Sequence, residues 1–171
     1  MHNGRIRQAV ILAAGNGTRL AAASPLPKPL VPVAGRALLD HVLDRLREME
    51  VSKAYIVVGY RSGEIRNHFR GSSDGLEIEW VHNPEYLLPN GISLLSVQSK
   101  VRGPFLLLMS DHLFERSTLK DLLGQQIPSQ GGILATDSKI QEVIDLGDAT
   151  KVQSVANRVR SMGKDLADFN A

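Results

Sequence analysis

A continuous apolar run, Ala9-Val10-Ile11-Leu12-Ala13-Ala14, stops abruptly at Gly15 and passes into Gly15-Asn16-Gly17-Thr18-Arg19. Such a run has no wet face, so it suits a strand of a parallel sheet buried on both sides. In open α/β sheets ligands bind at the carboxyl edge, where strands give way to loops. Gly15 and Gly17 let the backbone approach a phosphate without a Cβ in the way, and loop N–H groups form anion-binding concavities. Arg19, and Lys28 in the following Pro27-Lys28-Pro29, add a planar fork and a point charge suited to a triphosphate.

Two better-known phosphate motifs do not fit this string. A dinucleotide fingerprint needs glycine or alanine three residues after Gly17, where Leu20 stands. A P-loop needs Gly-Lys-Ser/Thr where the chain has Leu20-Ala21-Ala22.

The rest of the chain alternates strands with amphipathic helices, which predicts an α/β fold with a Rossmann-like mixed sheet and helices on both faces. Ala54–Val58 and Phe105–Met109 read as further buried strands, and Leu76–Val81 as a strand with one wetter face. Arg36–Glu50 reads as a helix, with Leu38, Leu39, Val42, Leu46 and Met49 on one side. Gly63–Phe69 and Ile92–Val101 read as shorter helices. Ser117 reads as the N-cap of another, carrying Leu119, Leu122 and Leu123. Ser73-Asp74-Gly75 reads as a turn. Trp80 reads as core. From Gly131 onward, Ile133–Thr136, Lys151–Val155 and Val159–Met162 read as short strands, with a turn at Ala156-Asn157-Arg158.

Composition narrows the function classes. The 171 residues carry 20 Lys plus Arg against 18 Asp plus Glu, a net +2, which argues against a dedicated nucleic-acid binder. There is no cysteine, so disulfides, thiolate metal sites and a Cys nucleophile are excluded. No apolar run is long enough to cross a bilayer, and the N-terminus lacks the apolar core of a secretory signal. The expectation is a soluble, cytoplasmic chain. His2, His41, His68 and His82 have no ligand spacing, and no Gly-x-Ser-x-Gly elbow surrounds Ser110.

Asp111, at the end of the strand Phe105–Met109, points to the same edge as the glycine loop. A carboxylate there can hold Mg²⁺, which prefers one or two carboxylates plus phosphate oxygens. His112 beside it reads as a loop neighbour rather than a ligand. Pro89-Asn90-Gly91-Ile92-Ser93-Leu94 reads as a turn and helix start, which Asn90 or Ser93 would cap, placed where a nucleotide could meet it.

Leu12-Ala13-Ala14-Gly15-Asn16-Gly17-Thr18-Arg19 with Pro27-Lys28-Pro29 resembles the family of nucleotidyltransferases that make nucleotide sugars and related activated alcohols. The resemblance implies that the loop Leu12 to Thr18 holds an NTP, with Arg19 and Lys28 on its phosphates and Asp111 on the metal. Asn90-Gly91-Ile92-Ser93-Leu94 is similar to the subgroup using CTP with phosphocholine or inositol 1-phosphate, which puts Asn90, Gly91 and Ser93 at the nucleotide. Asp145-Leu146-Gly147-Asp148 to Val152, and Met162-Gly163-Lys164-Asp165-Leu166, resemble inositol-1-phosphate cytidylyltransferases. Lys164 is then the residue that meets the acceptor phosphate.

Members of that family continue past the point reached at Phe169-Asn170-Ala171, with more sheet, part of the acceptor pocket and a further acidic metal ligand. The expectation is therefore a single nucleotidyltransferase domain over 1–171, C-terminally incomplete. Asp137, Asp145 and Asp148 are available carboxylates whose spacing singles out none of them. A nucleotide-binding sensor or subunit without catalysis stays open as the alternative.

Overall fold

The computed structural model describes residues 5–17, 24–71 and 74–171. Contacts divide the chain into two units, Met1–Gln126 and Ile127–Ala171.

The first unit is built on four strands, β1 (Gln8–Ala13), β4 (Lys53–Val58), β5 (Glu77–His82) and β6 (Leu106–Met109). Their order is β5-β4-β1-β6 and every pairing is parallel, with Gln8 opposite Lys53, Lys53 opposite Glu77 and Ala9 opposite Leu106. The apolar runs are continuous because both faces are covered. Ala9, Ile11, Ala13, Ala54, Ile56 and Val58 face one cluster, with Leu39, Val42, Leu43 and Leu46 of α1 (Leu38–Glu48), Ile65 of α2 (Ser62–His68) and Leu119 of α4 (Arg116–Leu123). Val10, Leu12, Ala14, Tyr55, Val57 and Val81 face the other, closed by Val97 and by Leu94 of α3 (Asn90–Leu95). Trp80 lies at the margin of the first cluster, half-buried, with its ring 6.1 Å from that of Phe69.

Several elements differ from their expected bounds. Arg36 and Ala37 do not start the helix: they form β3, paired with β2 (Pro32–Val33) through a turn at Ala34-Gly35. Both turn residues have positive φ, 49° and 81°, as a two-residue hairpin of that hand requires. The helix begins at Leu38, where the Asp40 carboxylate accepts the Ala37 N–H at 3.2 Å. Ile92–Val101 is not one helix; α3 covers Asn90–Leu95 and turns follow. Its N-cap is Pro89 rather than Asn90 or Ser93. Ser117 is likewise not a cap, since α4 is preceded by Glu115 and Ser117 lies inside the first turn, its Oγ donating to Glu115. The turn at Asp74-Gly75 is present, while Ser73 lies outside the described residues.

In the second unit, β7 (Lys151–Val155) and β8 (Arg158–Gly163) form an antiparallel hairpin closed by Ala156 and Asn157, both at positive φ. The final residues run along β7, where Asn170 Oδ1 accepts the Ser154 N–H at 2.9 Å and Asn170 Nδ2 donates to the Ser154 carbonyl at 2.9 Å. Ile133–Thr136 is exposed and forms no strand, because it finds no partner for its backbone in this unit. Among the described residues no helix is long and apolar enough to cross a membrane.

Candidate active site

Strand order locates the site. The chain runs from β1 outward through β4 to β5, then returns to place β6 on the other side of β1. The reversal falls between β1 and β6, and the crevice outside the carboxyl ends at such a point is where open sheets take ligands. The loop after β1 carries Gly15 and Gly17; the loop after β6 carries Asp111.

The edge is knitted by backbone bonds that carry the ladder past the strand ends. Ser110 donates to the Leu12 carbonyl at 3.1 Å, Tyr60 to Ala14 at 3.1 Å, and Asn83 to Val58 at 2.8 Å. The side chains of Leu12, Ala13 and Ala14 are all buried in the core. What they fix is the point where Gly15 leaves the sheet. Among the described residues no atom lies within 4 Å of a Cβ placed on Gly15. Gly17 is different, with φ at 59° and a Cβ position 3.1 Å from the Lys28 Cβ. Only glycine adopts that conformation freely, and its bareness lets Lys28 lie against the loop. Thr18 and Arg19 lie outside the described residues.

Lys28 opens a single 3₁₀ turn, Lys28–Leu30, flanked by Pro27 and Pro29 and anchored by the buried Pro29 and Leu30. The two prolines fix φ and leave the lysine stem little backbone freedom. Its Nζ donates to Asp111 Oδ2. The other oxygen of the same carboxylate, Oδ1, lies 2.8 Å from His112 Nδ1. The structure thus brings Lys28 and Asp111 together and adds His112, which sequence reasoning set aside as a neighbour. The adjacency Asp111-His112 was the available signal.

The trio is electrostatically tuned. The His112 hydrogen bond, and after it the Lys28 ammonium, hold Asp111 well below the usual carboxylate range against partial desolvation. The same carboxylate raises His112 above its ordinary value. Asp111 is thus an anion at any ordinary pH, with hard oxygen donors and a side chain 21% exposed. Among the described residues no three His, Asp or Glu side chains cluster as a closed metal cage. A single carboxylate at the carboxyl edge of the sheet fits Mg²⁺, which is held by one or two carboxylates and completes its shell with phosphates and water.

Asn90 and Gly91 are exposed at the start of α3, which packs on β1 through Leu94. Ser93 is buried and its Oγ accepts a hydrogen bond from Asn83 Nδ2. In the second unit, Lys164 Nζ contacts Asp148 Oδ1 at 2.5 Å, and its carbonyl accepts the Lys151 ammonium.

Comparison with known proteins identifies the family. The model of the MobA-like NTP transferase domain family matches residues 9–163. A bifunctional IPC transferase and DIPP synthase of Thermococcus kodakarensis is 37% identical over 164 residues, 96% of this chain and 35% of that protein. Among solved structures, the inositol-1-phosphate CTP transferase from T. maritima superposes with a TM-score of 0.75 at 27% identity, over 98% of this chain and 67% of the other. CTP:phosphocholine cytidylyltransferase from Streptococcus pneumoniae gives 0.55 at 30% identity, over 65% and 48% respectively. The chain spans about a third of the length of the curated IPC transferase relatives it matches. The glycine loop at the strand-order reversal and the family match over residues 9–163 lead to one conclusion: the chain belongs to the MobA-like NTP transferase domain family of nucleotidyltransferases.

Proposed function

We propose that the chain binds CTP and joins it to inositol 1-phosphate, releasing pyrophosphate. The observation that carries this reading is the meeting of Lys28 and Asp111 beside the Gly15–Gly17 loop. A cation, a carboxylate and loop backbone then lie side by side, the groups this reading needs. The choice of base and acceptor rests on the names of the T. maritima and Thermococcus relatives. Phosphocholine is the runner-up acceptor, supported by the Streptococcus enzyme, and sugar 1-phosphates follow.

In this mechanism an oxygen of the acceptor phosphate attacks the α-phosphorus of CTP in line, and the bond from that phosphorus to the β-phosphate oxygen breaks. The attacking group is already anionic near neutral pH, so no general base is needed. His112 is free to serve as the partner of Asp111. What the step demands is alignment and charge neutralisation. Lys28 and Arg19 would neutralise phosphate oxygens, and the Gly15–Gly17 backbone would hold them. Asp111 would hold Mg²⁺, which when bound offsets charge on the phosphates. Lys164 would bind the acceptor phosphate, released for this from Asp148.

Equilibrium binding of CTP, UTP, GTP, ATP and dTTP with Mg²⁺, followed by pyrophosphate release with each acceptor, tests the reading. Selective CTP binding with pyrophosphate release on adding inositol 1-phosphate is expected. Binding without release would instead leave a nucleotide-binding subunit, and a folded chain that binds no NTP would refute both.

A further inference from the structure

Asn83, Ser93 and Ser110 are the buried polar side chains among the described residues, and all three lie at the carboxyl edge. Asn83 is 1% exposed and Ser93 3%. Burying an amide and a hydroxyl is costly unless they are hydrogen-bonded, and here they are. Asn83 Nδ2 donates to Ser93 Oγ at 2.9 Å, Asn83 Oδ1 accepts the Glu85 N–H at 2.9 Å, and the Asn83 backbone N–H reaches the Val58 carbonyl. The amide therefore ties the end of β5, the turn after it and α3 to one point. A second pin lies close by, because Gly59 leaves room for the Tyr86 side chain, which a Cβ there would overlap.

What these pins hold in place is the exposed stretch Leu87-Leu88-Pro89-Asn90-Gly91. α3 has only six residues and no side-chain cap, too short to be stable alone. Its position depends on the Asn83–Ser93 bond and on the packing of Leu94 and Val97 against β1. Gly91 has open space where a Cβ would stand. The exposed backbone of this stretch is accessible, whereas both partners of the buried bond are sealed from it.

We infer that Asn83 is a positioning residue for base recognition. It acts through Ser93, neither side chain touches the nucleotide, and the Pro89-Asn90-Gly91 segment they hold makes the contact. This rests on the nucleotide-binding reading above, and it moves Ser93 from contact to support.

The test is equilibrium binding of CTP and UTP with Mg²⁺ to the full chain, below the melting temperature of each variant. The variants are Asn83→Ala, Ser93→Ala, the double substitution and Asn83→Asp. Asn83→Ala and Ser93→Ala should each weaken CTP binding roughly tenfold and narrow the preference for CTP over UTP, as loss of one buried hydrogen bond allows. The double variant should be no worse than either single, because the two residues act as a unit. Asn83→Asp should restore affinity and preference, since a carboxylate can accept both the Ser93 hydroxyl and the Glu85 N–H. Unchanged affinity in both alanine variants would overturn the inference, as would losses that multiply. An Asn83→Asp protein whose base preference inverts would also overturn it, by showing direct contact. If Asn83→Ala does not fold, Ser93→Ala decides by the same affinity and preference. A wild-type chain that binds neither nucleotide would refute the nucleotide reading itself, which is a separate result.

Discussion

Lys28 donates from its ammonium to one oxygen of Asp111, so the cation proposed for phosphate and the anion proposed for metal neutralise each other. On the proposed function, ligand and metal would each displace one partner of this pair. Lys28→Ala is expected to fold normally, because the side chain is partly exposed and its turn is anchored by Pro29 and Leu30. Turnover should fall by about 10²–10³-fold, the usual cost of removing one preorganised charge-stabilising group. Mn²⁺ titrated without nucleotide should bind the variant more tightly than wild type, since Asp111 loses its competitor. Equal Mn²⁺ affinity in the two proteins would remove Asp111 from the metal assignment.

The two loop glycines should separate in a mutational test. Gly15→Ala meets no atom of the described residues and needs no unusual backbone, so its melting temperature should match wild type while nucleotide affinity drops. Gly17→Ala puts a Cβ into left-handed backbone, at a cost of about 1–2 kcal/mol, and presses on the Lys28 stem. Thermal melts and CTP titrations of both variants check this. A Gly15→Ala protein with undiminished affinity would mean the ligand does not approach there.

His112 should titrate above its ordinary value in the free protein and return toward it in Asp111→Asn, as read by ring-proton NMR. The two groups shift in opposite directions, so their stability contributions have opposite pH limits. The raised His112 contribution is complete below its unfolded value, about 6.5, and is lost as pH rises through the higher folded value. The lowered Asp111 contribution is complete above its unfolded value, about 3.9, and is lost as pH falls through the folded one. The trio is thus strongest between roughly pH 4 and 6.5. The difference in melting temperature between wild type and His112→Gln should be largest there and shrink toward alkaline pH.

Ile11 is wholly buried between β4 and β6 beneath α1. Ile11→Ala should cost about 2–5 kcal/mol of stability in denaturant unfolding. A smaller loss would mean the core collapses around the cavity.

Those parts of the fold that bury apolar runs on both faces were legible in the sequence. Ala9–Ala14 and Ala54–Val58 reveal themselves because every position is apolar, and the glycines after them mark the edge. Segments whose structure depends on a partner elsewhere were not. Arg36-Ala37 has helix-compatible residues yet pairs with Pro32-Val33, because Ala34-Gly35 closes a tight hairpin. Ile133–Thr136 reads as a short strand but forms none and is exposed. That Lys28 and Asp111 lie at one edge was legible from residue type and place, whereas their mutual ion pair depends on strand order. Asn83 was invisible, since Asn-Pro reads as loop punctuation and only burial shows that its amide is enclosed.

The position of β1 between β4 and β6 also makes the Lys28–Asp111 contact depend on long-range strand pairing. Every pairing in the main sheet is parallel and therefore distant in sequence: Gln8 waits for Lys53, and Ala9 for Leu106. Such non-local contacts form slowly, because the loop entropy must be spent before any contact rewards it. Asp111 follows β6, so the Lys28–Asp111 contact depends on the pairing of β6 with β1 and reports that long-range pairing rather than any local structure.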